Sequence, residues 1–401
     1  MDSVKNLVCV IGLGYVGLPL AVAAANAGFE VVGVDLDEVK VSELNKGKSQ
    51  IEDIDNDELA SLVRGGKLRA ESNYASIESA EIIVICVPTP LLDNKLPDLS
   101  FIESVAKSIK GKLSESSLLI LESTVAPGTT REFLAPLLEF NFDEPERSFK
   151  IAFSPERIDP MNLNWTIKNT PKVVAGLTSE AKNSAVEFYS GFVEKIIECE
   201  SVEVAETAKL LENSFRFVNI SFINEISIFC QKLGIDVNEV IKAASSKPYG
   251  FMPFYPGIGV GGHCIPVDPM YLANAAKTLG APTRFIELAE QINQEMPNYF
   301  VNLAEEKLGG IRNKKILVVG VAYKPNVADV RESPAKLLIS GLKQKGALVT
   351  WHDDLVKEWN GEKSNNLSTD FDLAIIATTH DHLDLTKLGG VPILNTRGES
   401  Q

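Results

Sequence analysis

The 401-residue sequence holds no apolar run near the ~20 residues that carry a helix across a bilayer, so no membrane-spanning helix and no membrane partner are expected. Its first residues run straight into a strand-like segment without a basic region, an apolar region and a cleavage site in order, so no secretory leader is expected. Cysteine is sparse: five residues, Cys9, Cys86, Cys199, Cys230 and Cys264, an odd number with no Cys-x-x-Cys pair. That excludes a disulfide framework and a zinc site, and points to a reducing cytoplasm. Histidine is sparse too, and His352, His380 and His382 have no metal-ligand spacing; they read as surface or loop residues, and no metal is expected. Basic residues are outnumbered 39 to 54, for a net charge of -15. A nucleic-acid partner, which needs a basic face, is therefore not expected, and an anionic ligand would need a few well-aimed Lys or Arg side chains. Repeats and low-complexity tracts are absent.

What is present is a chain too long for one core, since single cores stop growing near ~250–300 residues. Val8–Ile11 is strand-like, Val16–Ala27 helical with Gly28 as its stop, and Glu30–Val34 strand-like again. Strand, helix, strand within some thirty residues is the unit of a parallel sheet. Further strand signals fall at Ile82–Val87, Leu118–Leu121, Lys150–Phe153 and Lys172–Ala175. From Ser201 to Leu233 apolar residues recur at helical spacing, with Gly234 as the stop, and a shorter helix follows at Asn238–Ala244. Lys247–Pro269 is rich in Gly and Pro and reads as a loop; Tyr271–Ala276 and Arg284–Phe300 look helical. A second α/β pattern opens at Lys315–Gly320, with strands at Ala347–Trp351 and Leu373–Ala377. The expected fold is α/β: two Rossmann-like doubly wound domains joined by a long central helix and a small helical domain. The expected boundaries are residues 1–199, 200–305 and 306–401.

Five segments carry candidate chemistry. Gly12-Leu13-Gly14-Tyr15-Val16-Gly17 follows a strand and opens a helix, with Asp35 ending the next strand. The glycines give a tight turn, close approach of the backbone to a pyrophosphate, and close helix–strand packing, while the helix N-terminus favours negative charge. Asp35 would accept from ribose hydroxyls and repel a 2′-phosphate, helped by Asp37 and Glu38, so NAD is expected rather than NADP. Gly261-Gly262-His263-Cys264 runs into Asp268, four residues on. A thiol in a glycine-rich loop reads equally as a nucleophile or as a structural cysteine, whereas Cys9 and Cys86 sit in apolar runs and read as core. His263, beside Cys264, reads as structural or positioning. Lys209 and Asn213 stand one helical turn apart; a solvated face is the plainer reading, and Glu206 and Glu212 favour it. Ser154-Pro155-Glu156-Arg157, Thr89 between two prolines, and Glu122-Ser123-Thr124 all follow strands, where open α/β sheets bind ligands. Lys324 and Arg331 follow the first strand of the second α/β pattern and could meet phosphates.

In order along nearly the whole chain stand GLGYVGLP, CVPTP, ESTVAPGTT, SPER, the Lys209/Asn213 helix, GVGGHCIPVD and AYKPNVADVRESP. Together they resemble the UDP-glucose/GDP-mannose dehydrogenase family. The resemblance implies an N-terminal NAD-binding domain, a C-terminal domain that binds the UDP part, and a central helix that forms a homodimer. It implies that Gly12, Gly14 and Gly17 hold the pyrophosphate, with Tyr15 and Val16 also on the cofactor, that Asp35 with Lys40 holds the adenosine ribose, and that Thr89, Thr124 and Arg331 complete the cofactor site. Cys264 is implied as the nucleophile, Lys209 and Asn213 as oxyanion donors, Asp268 and Glu156 as handlers of water and protons with Thr124 beside them. Arg157, Tyr255, Gly261 and Lys324 are implied on the substrate, Lys324 at the diphosphate. The implied reaction is a four-electron oxidation of a sugar C6 alcohol to the carboxylate, through a thiohemiacetal and a thioester on Cys264, in the making of polysaccharide or glycan precursors. The stretch from Tyr249 to Gly257 looks like that of members acting on UDP-N-acetylglucosamine. Pro160 stands where UDP-glucose members tend to carry an acid, which also favours an acetamido sugar; UDP-N-acetylmannosamine and UDP-glucose are the alternatives. A one-step β-hydroxyacid dehydrogenase and a non-catalytic NAD-binding regulator share parts of this pattern, but neither calls for Cys264, Lys209, Asn213 and Asp268 together.

Overall fold

Strands that are apolar on both faces need helices on both sides of their sheet. The structure, a computed structural model, describes residues 7–51, 54–158, 162 and 164–398. Position 160 lies outside the described residues. The chain forms two compact units, Met1–Leu211 and Glu212–Gln401.

The first unit contains, in order, β1 (Leu7–Ile11), α1 (Gly17–Asn26), β2 (Glu30–Val34), α2 (Glu38–Leu44), α3 (Asn56–Arg64), β3 (Leu68–Glu71), β4 (Ile82–Ile85), α4 (Ser100–Ile109), β5 (Leu118–Leu121), α5 (Ala135–Leu137), β6 (Lys150–Phe153), β7 (Lys172–Gly176), α6 (Ser179–Ser190) and β8 (Ile196–Glu198). Its strands form one sheet in the order β3-β2-β1-β4-β5-β6-β7-β8, parallel except where β7 runs against β6. Alternation along β1 divides the core: Val8 and Val10 face one helical layer, Cys9 and Ile11 the other. Sequence order reverses between β1 and β4, and the ligand-bearing crevice of a doubly wound sheet lies at such a switch. The strand expected to reach Val87 ends at Ile85, because Pro88 and Pro90 follow and cannot donate to a ladder.

A 32-residue helix, α7 (Val202–Leu233), begins in the first unit, where Val202 and Ala205 join the core. Gly234, at φ +73°, follows it as the expected stop. The second unit continues with α8 (Val237–Ser245), α9 (Asp268–Thr278), α10 (Arg284–Leu308), β9 (Lys315–Val319), α11 (Ala335–Gln344), β10 (Leu348–His352), the two-strand ladder β11 (Glu358–Trp359) and β12 (Glu362–Lys363), β13 (Leu373–Ile376) and β14 (Ile393–Asn395). The strands β10-β9-β13-β14 form a parallel sheet, with Ile316 and Val318 buried on one face and Leu317 and Val319 on the other.

Two helices depart from expectation. α9 begins at Asp268, so the carboxylate read as part of a loop opens a helix instead. α10 continues to Leu308, past Phe300 and through Pro297. That proline cannot donate to the Asn293 carbonyl. Gly259 lies against the same carbonyl, where a Cβ would come within 3.0 Å.

Candidate active site

In the first unit the loops after β1, β4, β5 and β6 emerge side by side, because these strands are neighbours. Gly12 takes φ +93°, and a Cβ there would press to 2.7 Å on the Cys86 carbonyl oxygen. A Cβ at Gly17 would fall 1.9 Å from the Gly12 oxygen, so only glycine lets α1 start this close to β1. At Gly14 a Cβ would meet nothing within 4 Å: the backbone there faces open space. Neither a side-chain cap nor an acid occupies the first turn of α1; Leu18 and Leu20 donate to the Gly14 and Val16 carbonyls and Pro19 has no N–H, so the positive end of the helix is met by the backbone of the glycine turn itself. This arrangement fits a dinucleotide pyrophosphate.

Asp35 Oδ2 accepts from the Leu13 N–H at 3.0 Å and pairs with Lys40 at 2.8 Å, while Oδ1 accepts from the Asp37 N–H at 3.1 Å. Burial alone would raise its pKa, but Lys40 and these N–H groups outweigh that and hold the carboxyl below its ordinary range. Asp37 caps α2 through the Val39 and Lys40 N–H groups. A cavity of about 230 Å³ opens beside Gly14, Tyr15 and Lys40, with Leu18, Leu44 and Ile51 as apolar walls suited to a flat base. Tyr15 is exposed, Val16 is half-buried and Thr89 is buried.

After β5, Thr124 is half-buried and Glu122 is fully buried. After β6, Glu156 folds back on its own loop: Oε1 accepts from the Arg157 and Ile158 N–H groups, both at 2.6 Å. The Arg157 guanidinium donates to the Pro171 carbonyl at 2.7 Å. Glu206, expected on a solvated face, is fully buried instead. It accepts from the Gly128 N–H at 2.6 Å, the Thr130 N–H at 2.9 Å and the Thr130 hydroxyl at 2.6 Å, tying α7 to the loop after β5. Burial pushes its pKa up to about 7 against the pull of these three donors. Lys209 is half-buried three residues on, and Glu212 is exposed.

The second unit holds the cysteine. Cys264 is exposed, and its carbonyl accepts from the Val267 N–H at 3.2 Å and the Asp268 N–H at 2.9 Å, a turn that leads into α9. Asp268 is buried, and its Oδ2 accepts from the Asn213 side-chain amide at 2.5 Å. The cysteine loop is packed on the segment after β9. The Gly262 N–H donates to the Arg331 carbonyl at 3.0 Å. A Cβ at Gly262 would stand 2.7 Å from the Tyr323 ring, and one at Gly261 would stand 2.8 Å from the Glu332 carbonyl oxygen. So this unit brings together Cys264, Asp268, Asn213 and the segment bearing Lys324 and Arg331. Arg331 is exposed and forks onto Asp329, with contacts of 2.6–3.0 Å. His263 is half-buried, and burial followed by the nearby Arg331 lowers its pKa. Tyr255 is exposed and Lys324 half-buried.

Two histidines read as surface or loop residues are buried: His352 ends β10, and His380 is 1% exposed. His380 Nδ1 accepts from the Asn326 N–H at 2.9 Å, so its Nε2 carries the hydrogen that points at Asp353 Oδ1, 3.0 Å away. Asp353 Oδ2 accepts from the Val321 and Ala322 N–H groups. His382 is exposed. Neither this latch nor the burial of Glu206 had a local sequence signal, since both depend on partners tens of residues away. Among the described residues, no group of three or more His, Cys, Asp or Glu could hold a metal ion, and no helix is long and apolar enough to cross a membrane.

The doubly wound sheet, the glycine loop and Asp35 define a dinucleotide-dependent oxidoreductase. Family models match the chain in three consecutive parts: the NAD binding domain of the UDP-glucose/GDP-mannose dehydrogenase family over residues 6–193, its central domain over 203–295 and its UDP binding domain over 317–393. A UDP-N-acetyl-D-mannosamine dehydrogenase from Methanococcus maripaludis is 35% identical over 383 residues, covering 93% of this chain and 86% of its own. The structure of a UDP-D-ManNAc dehydrogenase from Pyrococcus horikoshii superposes with a TM-score of 0.88 at 30% identity, covering 98% of this chain and 95% of the other. A UDP-glucose dehydrogenase from Pyrobaculum islandicum gives 0.89 at 28% identity, covering 99% and 95%. The chain belongs to the UDP-glucose/GDP-mannose dehydrogenase family and is an NAD-dependent UDP-sugar dehydrogenase.

Proposed function

We propose that the protein oxidises the C6 alcohol of a UDP-N-acetylhexosamine to the carboxylate, with Cys264 as covalent nucleophile. The observation that carries this reading is the cysteine loop: an exposed thiol one turn before Asp268, which is itself held by Asn213. Gly12, Gly14, Tyr15, Val16, Gly17, Asp35, Lys40, Thr89, Thr124 and Arg331 hold NAD in this reading. Two NAD molecules, bound there in turn, would each accept one of the two hydrides that an alcohol gives up on becoming a carboxylate. Cys264 adds to the C6 aldehyde as a thiohemiacetal, which is oxidised to a thioester and hydrolysed by water. Lys209 and Asn213 donate to the oxygen that gains charge. Asp268 and Glu156, with Thr124, hold water and move protons. Arg157, Tyr255, Gly261 and Lys324 bind the UDP-sugar, Lys324 at the diphosphate.

On the names of its relatives UDP-N-acetylmannosamine comes first. UDP-N-acetylglucosamine, which the aromatic stretch puts first, and UDP-glucose follow. The exposed Tyr249, Phe251 and Tyr255 side chains offer apolar surface to an acetamido methyl. We read the functional parts as residues 1–199, 200–305 and 306–401, acting in the cytoplasm on precursors of a polysaccharide. The partner is a second copy of the chain: Leu211, Phe215, Phe222, Phe229 and Leu233 recur along α7 at steps of four and seven, and all are exposed.

The test is NADH formed per sugar consumed, with the three UDP-sugars offered separately. Two NADH from one of them, and no acid from Cys264→Ala, is the expected result. One NADH per sugar, or an unimpaired Cys264→Ala variant, would sink the covalent mechanism.

A further inference from the structure

β7 is the one strand of its sheet that runs against its neighbour, so it starts at the edge where β6 ends. Phe153 pairs with Ala175 there, and continuing the register three residues sets Glu156 opposite Lys172. The side chains meet as this register requires. The Lys172 ammonium is buried, 2.9 Å from Glu122 Oε1 and 3.7 Å from Glu156 Oε2. The Tyr189 hydroxyl donates to the same Glu122 oxygen, and its ring lies 5.1 Å from the ammonium. Cys86, from the end of β4, is buried and feels the charges of Glu122, Lys172 and Glu156.

The two distances differ in kind. At 2.9 Å, Glu122 and Lys172 form a contact pair that neutralises itself, with Tyr189 as an added donor. At 3.7 Å, Glu156 is outside hydrogen-bond reach and meets the ammonium through its field alone. Its Oε1 accepts from two backbone N–H groups, while no hydrogen bond to Oε2 is seen among the described residues. A buried ion pair adds little stability over an apolar pair of the same size, so this one is poorly explained by the fold alone. We propose that Lys172, anchored by Glu122, is a positioning residue that holds the Glu156 carboxylate in the place from which it handles protons. This rests on the proton-handling role given to Glu156 above.

The groups around Glu156 agree with that role. Burial keeps the Cys86 thiol and the Tyr189 hydroxyl protonated, so neither adds charge. Arg157, on the carboxylate's own loop, directs its guanidinium to the Pro171 carbonyl. Burial opposes the Lys172 charge, but Glu122 and Glu156 together outweigh it. Lys172 is thus the cation that faces Glu156 from the adjacent strand.

Lys172→Met alone leaves two buried carboxylates with no cation and can fail to fold. The decisive variant is therefore Glu122→Gln with Lys172→Met, which removes both charges of the contact pair. Its kcat should fall roughly tenfold or more, as loss of acid–base assistance does, while KM for UDP-sugar and NAD changes little. Lys172→Arg, which keeps the charge, should recover most of kcat. A crystal structure of the double variant should show the Glu156 carboxylate displaced from the place it holds in the intact protein. A folded double variant with unchanged kcat and an undisplaced carboxylate would overturn the proposal and leave the pair to the fold. If the intact protein oxidises no UDP-sugar, the reading of its function fails, and the crystallographic comparison still decides the role of Lys172.

Discussion

Each unit carries an aspartate just past the strand that follows its glycine turn, and the two are used differently. Asp35 keeps partial exposure: it steadies Leu13 and pairs with Lys40, with edge left over for a ribose. Asp353 has no exposed side chain, and its oxygens are taken by Val321, Ala322, Leu355, Val356 and His380. In the first unit the acid is left with room for a ligand, the ribose of the proposed reading. In the second it latches the loop that bears Lys324, and the proposed ligand contact falls to cationic side chains. The same strand–turn–acid grammar therefore yields a partly exposed acid in one place and a structural one in the other. Burial and the number of donors decide which.

The contrast is sharpest if Asp353 is removed. Asp353→Ala strands buried N–H groups and His380, and should cost about 3–5 kcal/mol in urea unfolding while NAD affinity stays near normal. A loss under about 0.5 kcal/mol, the range of an ordinary surface change, would show that the latch is not structural. Its pH dependence has a definite sign. Burial alone would raise this carboxyl, but His380 and the backbone N–H groups outweigh it and hold it below the ordinary range. Its stabilisation is therefore present above that range and lost as pH falls beneath it. Glu206 runs the other way, with a pKa raised to about 7 from 4.5. Its contribution is complete below pH 4.5 and disappears as pH rises through 7. Between pH 5 and 8, unfolding free energies should shift in favour of Glu206→Gln over the intact protein by up to about 3 kcal/mol. Parallel curves would mean that the three donors hold Glu206 ionised throughout.

Smaller effects separate binding from folding within the first unit. Gly17→Ala should cost about 1–3 kcal/mol of stability, because its methyl group meets the Gly12 carbonyl. Gly14→Ala should melt like the intact protein yet bind NAD more weakly in a fluorescence titration. Equal melting losses would erase the distinction between the two glycines. The smallest change is Asp35→Ala, which should weaken NAD about tenfold, or ~1.4 kcal/mol, with stability nearly unchanged. A drop in stability like that of Asp353→Ala would abolish the contrast between the two acids.

The parts legible in the sequence were those with local causes. The Gly12–Gly17 turn, the strands β1, β2, β5 and β6, the Gly234 stop and the cysteine loop depend on neighbours within a few residues, and periodicity or glycine content reveals them. What stayed hidden depends on distant partners. Lys172 opens an apolar strand, and nothing nearby in the sequence ties it to Glu156; the reversal of β7 does. Glu206 looks solvated until the loop at Gly128–Thr130 closes over it. His380 gains meaning only from Asp353 and Asn326, 27 and 54 residues away. α10 runs on to Leu308, eight residues past Phe300, where the helical spacing reads as ending.

The absence of side chains at Gly261 and Gly262 has a consequence for substrate choice. With Tyr323 and Glu332 filling the places of two missing methyl groups, the thiol's loop and the segment that bears Lys324 are mounted on one block. On the proposed roles of Lys324 and Cys264, the span between them would work as a fixed gauge. A molecule whose pyrophosphate and oxidisable carbon match that span would register at both ends, and a shorter or longer one would meet the thiol out of line. Selection by length would then precede any reading of the sugar's stereochemistry.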